Sequence, residues 1–122
     1  MQAFAVIRRG FVYRVARVFR DPKETRPVVV MTGDACNLDP RSATVVGIPL
    51  TTSLKGGAFR VRLKKGAGGV PDNSEAACEQ VVQVPKRNFL ADEHGVVRPM
   101  GGRLDESLLD DIVAAVIAVI SA

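Results

Sequence analysis

Short stretches of apolar residues, either alternating with polar residues or running together, fill the first two-thirds of the chain and predict strands. β-Branched and aromatic side chains dominate these stretches, which span residues 12–19, 27–31, 43–50, 59–64 and 78–84. Residues that favour turns separate them, including Asp21-Pro22, Gly33-Asp34 and the glycine-rich stretch 66–73. This order of elements predicts a small β-barrel or a strongly bent sheet.

Glycine and proline mark special positions within the predicted strands. Gly47 suggests a bulge in the third strand, and Pro49 suggests that this strand ends there or lies at an edge. Pro27 opens the second strand, and its ring pushes the preceding Arg26 into an extended conformation. Arg26 is therefore predicted to sit at the rigid start of a strand.

The last part of the chain has the spacing of a helix. Asp105 can cap it, and almost no charge follows Ile112, so we expect burial on more than one side. We favour a homodimer interface as the cover of the second side; the alternative is a helix wedged into a groove of its own barrel. The apolar positions recur three and four residues apart and are Leu108, Leu109, Ile112, Val113, Val116, Ile117 and Ile120.

Length and composition predict a mainly β protein with a C-terminal helix that folds as a single domain. The 122 residues give one domain, residues 1–122, in which residues 1–8 are an N-terminal extension or the lead-in to the first strand. Hydrophobic residues make up 47% and charged residues 25%, which argues against a disordered chain.

Charge is distributed unevenly along the chain, although the net charge is a modest +4. Residues 1–66 carry thirteen Lys and Arg against four Asp and Glu, whereas the remainder carries four against nine. Such a chain can present a positive face to phosphates. A salt-bridged surface without a partner is the equal alternative.

Cysteine spacing and the absence of a leader pattern predict a cytoplasmic protein. Cys36 and Cys78 are far apart, with no neighbouring ligands for zinc, so we expect both thiols to be reduced and buried. A single disulfide remains the alternative. Residues 112–120 are too short to span a bilayer, which takes about 20 residues, so no membrane partner is expected.

Conventional catalytic patterns are mostly missing. His94 lies in a polar turn, and the glycines at 66–69 lack the Lys-Ser/Thr of a phosphate-binding loop and read as a hairpin turn. Acidic residues are not paired at a spacing that suggests a metal site. An enzyme built on this chain is therefore predicted to need neither a metal nor a cofactor.

The residues best suited to phosphate are arginines, hydroxyls and lysines near strand ends. Arg26 gives bidentate hydrogen bonds to phosphate oxygens, and Thr51, Thr52 and Ser53 leave a strand just ahead of Lys55. We expect contacts with a phosphate backbone that weaken steeply with salt. Strand 59–64 adds a predicted basic outer face in which Arg60, Arg62 and Lys64 alternate with Phe59, Val61 and Leu63.

These residues also carry a family resemblance. The chain resembles the MazF/PemK toxin family, and the match runs in order from about Arg9 to the C-terminus. The resemblance implies a dimeric SH3-like small β-barrel of the MazF/CcdB toxin type. It also implies a metal-independent, sequence-specific endoribonuclease that cleaves single-stranded RNA, and a cognate MazE-like antitoxin with an acidic C-terminal segment. The motifs that carry it are Arg9-Gly10-Phe11-Val12-Tyr13, Arg26-Pro27-Val28-Val29-Val30, Val45-Val46-Gly47-Ile48-Pro49-Leu50-Thr51, Ser74, Glu79-Gln80 and Leu104-Asp105-Glu106.

The resemblance also implies roles for individual residues. Arg26 and Thr51 match the catalytic pair of the family, and Gln80 matches a glutamine that contacts RNA. The first loop is shorter than usual, so Glu24 is a candidate to replace a missing glutamate, beside solvent or the RNA itself as the general base. Thr52, Ser53, Lys55, Arg60 and Arg62 are expected to bind RNA.

Each of these residues has a simpler alternative reading. On this alternative, Arg26 only forms a structural ion pair with Asp21 or Glu24, and Thr51 only ends a strand. Gln80 is then an ordinary residue of a strand ladder. Two alternative functions are a CcdB-like toxin that binds DNA gyrase without chemistry and a catalytically silent nucleic-acid-binding barrel. The C-terminal residues 117–122 lack the aromatic anchor expected of the first of these.

Overall fold

The computed structural model describes residues 7–19 and 24–121 of the chain. Most of the predicted N-terminal extension and the turn predicted at Asp21-Pro22 lie outside these ranges. Among the described residues, no helix is long and apolar enough to cross a membrane. The elements are β1 (Val12–Ala16), β2 (Thr25–Val30), α1 (Asp34–Asn37), β3 (Thr44–Thr51), β4 (Arg60–Leu63), β5 (Ser74–Ala77), β6 (Val82–Pro85) and α2 (Glu106–Ser121).

The strands form one antiparallel sheet in the order β1-β2-β3-β5-β4, and β6 pairs with β3 as a branch. β3 is central because β6 pairs with its first half, Thr44–Gly47, while β5 pairs with its last two residues, Leu50 and Thr51. The prediction of a mainly β fold with a C-terminal helix is confirmed. The ladder does not close among the described residues, so the barrel is a bent, open sheet.

Apolar clusters cover both faces of the sheet, which explains the continuous run Val28-Val29-Val30 in β2. Val29 packs with Ile48 and with Leu109 and Ile112 of α2. Val28 and Val30 face the opposite way and join a second cluster that contains Tyr13 and Phe89, whose rings meet edge to face at 5.4 Å. A strand buried on both faces has no polar side, so it reads as an unbroken apolar run.

The strand predicted at 78–84 is correct only in its second half, where β6 begins at Val82, and a turn occupies the first half. Cys78–Gln80 forms a 3-10 turn between β5 and β6. The sequence Ser-Glu-Ala-Ala of β5 has low strand propensity, yet all four of its residues are buried because β5 pairs with both β3 and β4. Tertiary pairing decides the structure of this segment.

The predictions at three special residues also need correction. Pro27 is the third residue of β2 rather than its first. Gly47 lies in a regular ladder with Val30 and Val82, without a bulge, and Pro49 lies in the central strand rather than at an edge. Gly47 is needed for space, because a Cβ there would lie 2.3 Å from Cγ1 of Val28.

The cysteines and the C-terminal helix differ in exposure. Cys78 is buried as predicted, but Cys36 is exposed, so its predicted burial is wrong; both thiols are free. Burial raises the pKa of Cys78 to about 11. α2 buries Leu109, Ile112 and Ala115 against the sheet. Its other side stays open in the single chain, where Ile117 is 56% exposed.

We predict that Gly47→Ala destabilises the fold. The added methyl group collides with Val28 and approaches the carbonyl oxygen of Val29. Overpacking of this kind costs about 2 kcal/mol of unfolding free energy, which urea denaturation measures. Gly33→Ala is the matched control, since a Cβ there meets no described atom within 4 Å and the backbone has φ −62°. Equal stability losses in the two variants would contradict the packing argument.

Candidate active site

One row of side chains crosses four strands and brings the predicted site residues together. Thr51 at the end of β3 pairs with Glu75 of β5, and Glu75 pairs with Arg62 of β4. In the register of β2 with β3, Val28 lies opposite Pro49. Continuing this register by two residues along each strand places Arg26 opposite Thr51. Cross-strand partners point to the same face of a sheet, so these four residues share one face.

Two adjacent clefts open on this face, and Arg26 and Thr51 line both of them. The larger cleft, of about 420 Å³, is also lined by Glu24 and Thr52 and by Arg14, Thr25, Pro27, Leu50, Val70, Pro71, Asp72 and Ser74. The smaller, of about 240 Å³, is also lined by Phe19, Ser53, Lys55, Arg60 and Gln80. The structure therefore brings eight of the nine predicted site residues to these two clefts.

Two neighbours hold the Arg26 side chain. Glu24 accepts a hydrogen bond from Nε of Arg26 and forms an ion pair with it, and the guanidinium lies 4.8 Å from the ring centroid of Phe19. The pairing with Glu24, the simpler reading of Arg26, is thus present. Even so, the Arg26 side chain is 34% exposed and faces both clefts, so it remains accessible to an anion.

A backbone hydrogen bond orients the Thr51 hydroxyl. Oγ1 of Thr51 accepts a hydrogen bond from the N–H of Ser53, at 3.1 Å. A hydroxyl that accepts in this way keeps its own proton for donation. Thr51 can therefore donate a hydrogen bond into the clefts that it lines.

Arg60 does not belong to an exposed basic face. Its side chain is 9% exposed and forms a bidentate ion pair with Glu79, at 2.8–3.0 Å, and a longer contact of 3.3 Å with Glu75. Hydrogen bonding with Glu79 raises the pKa of Arg60 and lowers that of Glu79. The predicted RNA contact of Arg60 stays a prediction, but two carboxylates already occupy its guanidinium.

Glu75 is a buried carboxylate that the sequence patterns did not single out. Its side chain is 3% exposed and accepts hydrogen bonds from the N–H groups of Lys55 and Gly56. Burial raises the pKa of Glu75, but those hydrogen bonds and Arg60 together outweigh burial and lower it. The signal available in the sequence is one acid set among small strand residues, Ser74 and Ala76.

The remaining predicted residues lie at or beside the clefts. Arg62 lines neither cleft among the described residues; it is exposed on β4, with Nη2 lying 3.7 Å from Oε2 of Glu75. Phe19 and Asp72 also line the clefts, although no sequence pattern marked them as site residues. Within the described ranges, no group of three or more His, Cys, Asp and Glu is placed to hold a metal ion.

Comparison with protein families identifies the family to which this chain belongs. The family model described as "PemK-like, MazF-like toxin of type II toxin-antitoxin system" matches residues 8–120. The chain belongs to this toxin family. The resemblance read from the motifs is thereby confirmed. Comparison with curated proteins gives no match.

Solved structures share the fold of this MazF-like toxin at low sequence identity. Mycobacterium tuberculosis toxin MazF-mt6 is 19% identical with a TM-score of 0.70, covering 90% of this chain and 95% of that one. A mycobacterial endoribonuclease in complex with its cognate antitoxin is 17% identical with a TM-score of 0.73, covering 95% and 96%. MazF from Deinococcus radiodurans is 15% identical with a TM-score of 0.71, covering 96% and 98%. At these identities the likeness concerns the fold.

We predict that Arg60→Ala destabilises this MazF-like toxin by about 3 kcal/mol, because it leaves the buried carboxylate of Glu75 without its nearest cation and also removes the ion pair with Glu79. Urea denaturation at neutral pH measures the loss. Arg62→Ala is the matched control: Arg62 is an arginine on the same strand with a 53% exposed side chain, and we expect its loss to cost less than about 1 kcal/mol. Equal effects of the two variants would show that Arg60 does not support the fold through its buried pairs.

Proposed function

We propose that this chain is the toxin of a toxin–antitoxin pair and acts in the cytoplasm as a metal-independent, sequence-specific endoribonuclease on single-stranded RNA. The observation that carries the proposal is the placement of Arg26 and Thr51 side by side on one sheet face, lining both clefts. Family membership supports it. A fixed guanidinium beside a hydroxyl donor suits a phosphodiester that gains negative charge during reaction.

The proposed reaction is attack by a ribose 2′-hydroxyl on the adjacent phosphorus. A 2′-oxygen–phosphorus bond forms and the bond to the 5′-oxygen breaks, which leaves a 2′,3′-cyclic phosphate and a 5′-hydroxyl. The 2′-hydroxyl proton passes to a base, and a proton is delivered to the departing 5′-oxygen. Glu24 is one candidate for the base, because it lines the larger cleft beside Arg26; solvent and the RNA itself are the others.

Arg26 and Thr51 act on the charge of the phosphate in this scheme. The Arg26 guanidinium stabilises the oxygens around phosphorus by bidentate hydrogen bonding, and one well-placed donor typically contributes about 3 kcal/mol to the transition state. Thr51 donates its hydroxyl proton to the same centre, since its oxygen already accepts from Ser53. Glu24 holds Arg26 in place until RNA arrives.

The surrounding residues are proposed to bind the RNA backbone. Thr52 lines the larger cleft, while Ser53, Lys55 and Gln80 line the smaller one. Arg62 lies exposed beside them and extends the surface. An antitoxin with an acidic, extended segment is the proposed protein partner, because carboxylates can occupy the same cationic groups as phosphates.

We predict that the purified protein cuts mixed-sequence single-stranded RNA at discrete sites in the presence of EDTA, leaving 2′,3′-cyclic phosphate ends. Arg26→Ala and Thr51→Ala are each expected to lower the cleavage rate by at least about 100-fold, the typical effect of removing one transition-state donor. Gel separation and end-group analysis of the products measure both results.

Arg41→Ala is the matched control, since Arg41 is an exposed arginine outside both clefts that pairs with Asp39. It is expected to cut at the wild-type rate. Intact RNA together with inhibition of gyrase supercoiling would favour the gyrase-binding alternative. Binding of RNA with neither effect would leave a silent nucleic-acid-binding protein.

We further propose that the active form is a homodimer formed through an apolar groove beside α2. The groove, of about 130 Å³, is lined by apolar side chains from the sheet and the helix. Several of them are exposed in the single chain, which is unusual for so contiguous an apolar patch. The lining residues are Met31, Val46, Ile48, Val81, Val113, Val116 and Ile117.

We predict that Ile117→Glu converts a dimer into a monomer, because it places a charge in the middle of the apolar contact. Analytical ultracentrifugation is expected to show twice the mass of one chain for the wild type and the mass of one chain for the variant. Leu90→Glu is the matched control, since Leu90 is exposed to a similar extent as the groove residues but lies outside the groove. A wild type that sediments as a monomer at all tested concentrations would refute the dimer.

A further inference from the structure

We propose that Glu75 is a positioning residue of the toxin: its buried carboxylate holds the loop of residues 52–57 and thereby sets Ser53 and Lys55 at the RNA cleft. The inference deepens the proposed ribonuclease function and rests on it, because the loop matters for RNA only if RNA binds here. Residues 52–57 form the 52–57 loop.

Glu75 binds the far end of the 52–57 loop through its backbone. Oε1 accepts hydrogen bonds from the N–H of Lys55 at 3.0 Å and from that of Gly56 at 3.2 Å, and Oε2 accepts from Gly56 at 3.0 Å. Hydrogen bonds to an ionised group are about twice as strong as those between neutral groups. The loop follows β3 directly, forms most of the connection to β4 and has no regular structure of its own, so contacts of this kind define its path.

Glu75 also acts on the near end of the loop through Arg60. Nη1 of Arg60 contacts the Glu75 carboxylate at 3.3 Å and donates to the carbonyl oxygen of Ser53 at 3.4 Å. The N–H of the same Ser53 donates to Thr51 Oγ1. The carboxylate is therefore connected to the loop at both ends, and through Ser53 to the hydroxyl of Thr51.

The position of Glu75 argues for positioning rather than for contact with RNA. Among the described residues that line the two clefts, Glu75 is absent, whereas Ser53 and Lys55 both line the smaller one. A buried charge carries a large desolvation cost, so packing alone would favour an apolar residue between Ser74 and Ala76. A carboxylate at this position is explained by the two backbone N–H groups and the guanidinium that it binds.

The test is Glu75→Gln, which keeps the shape of the side chain but removes its charge and turns one acceptor into a donor. The amide protons of Lys55 and Gly56 are expected to exchange with solvent about tenfold faster, as measured by NMR. The Kd for a mixed-sequence 2′-O-methyl RNA, which lacks the attacking hydroxyl, is expected to rise about tenfold. The single-turnover cleavage rate of unmodified RNA at saturating protein is expected to change by less than about threefold.

Glu79→Gln is the matched control for the amide exchange. It removes the same charge beside the same arginine, but Glu79 makes no hydrogen bond to the Lys55 or Gly56 N–H groups described here. Its Lys55 and Gly56 amides are expected to stay within about twofold of the wild type. Faster exchange in Glu79→Gln to the same extent would assign the effect to Arg60 and overturn the role of Glu75.

Two further results would also overturn the proposal: unchanged amide exchange in Glu75→Gln, or an unchanged Kd for the methylated RNA, whether or not cleavage is slower. A merely structural role would lower the active fraction without moving the Kd. A wild type that neither binds nor cleaves RNA refutes the proposed function, and with it the RNA part of this inference. The amide exchange then still decides whether Glu75 holds the loop.

The wild-type protein provides the test if Glu75→Gln does not fold. The amide shifts of Lys55 and Gly56 are expected to titrate together with the Glu75 carboxyl, at a pH below the ordinary range of a glutamate because its pKa is lowered in the folded state. The charged groups that face Glu75 are Arg60, Arg62 and, through Arg60, Glu79. Amide shifts of Lys55 and Gly56 that do not change as Glu75 titrates would overturn the proposal.

Discussion

The pairing of buried Arg60 with Glu75 and Glu79 is the interaction on which the candidate site depends. Removing a charge from water is so costly that a buried charge needs partners: the buried Glu75 and the 35% exposed Glu79 supply them for Arg60. Two of these side chains, Glu75 and Arg60, also hold the 52–57 loop through hydrogen bonds to its backbone. Besides Arg60, which two carboxylates occupy, the cationic side chains that line the clefts among the described residues are Arg14, Arg26 and Lys55.

Much of the fold could be predicted from the pattern of apolar residues, because the local structure that these residues favour is the one they adopt in the folded chain. β-Branched runs became β2 and β3, and the spacing of Leu109 and Ile112 became the buried side of α2. The pattern failed at Ser74–Ala77, where small residues become a strand only because two other strands flank them. The bulge predicted at Gly47 was wrong for a similar reason. Glycine is required there because Val28 on another strand leaves no room for a Cβ.

The candidate site was predictable to the extent that its residues are marked by their own neighbours in sequence. Arg26 stands out because a proline follows it, and Thr51 because it ends an apolar strand before a run of hydroxyls. The exposed basic face predicted at Arg60 was wrong, since alternation along one strand shows which face a residue occupies but not which acids lie across from it. Glu75 was missed because its partners come from a loop some twenty residues away in the sequence.

The smaller cleft and the apolar groove meet at one short turn, so the surface proposed to bind RNA lies next to the surface proposed to form the dimer. Gln80 lines the smaller cleft, and the next residue, Val81, lines the groove. The turn that carries them is held by the Glu79–Arg60 ion pair and by the N–H of Cys78, which donates to the carbonyl oxygen of Phe59. A partner that covers the groove therefore contacts Val81, directly after the turn that places Gln80 at the cleft. Arg60 thus contacts the 52–57 loop on one side and Glu79 of this turn on the other, so one guanidinium connects the two segments.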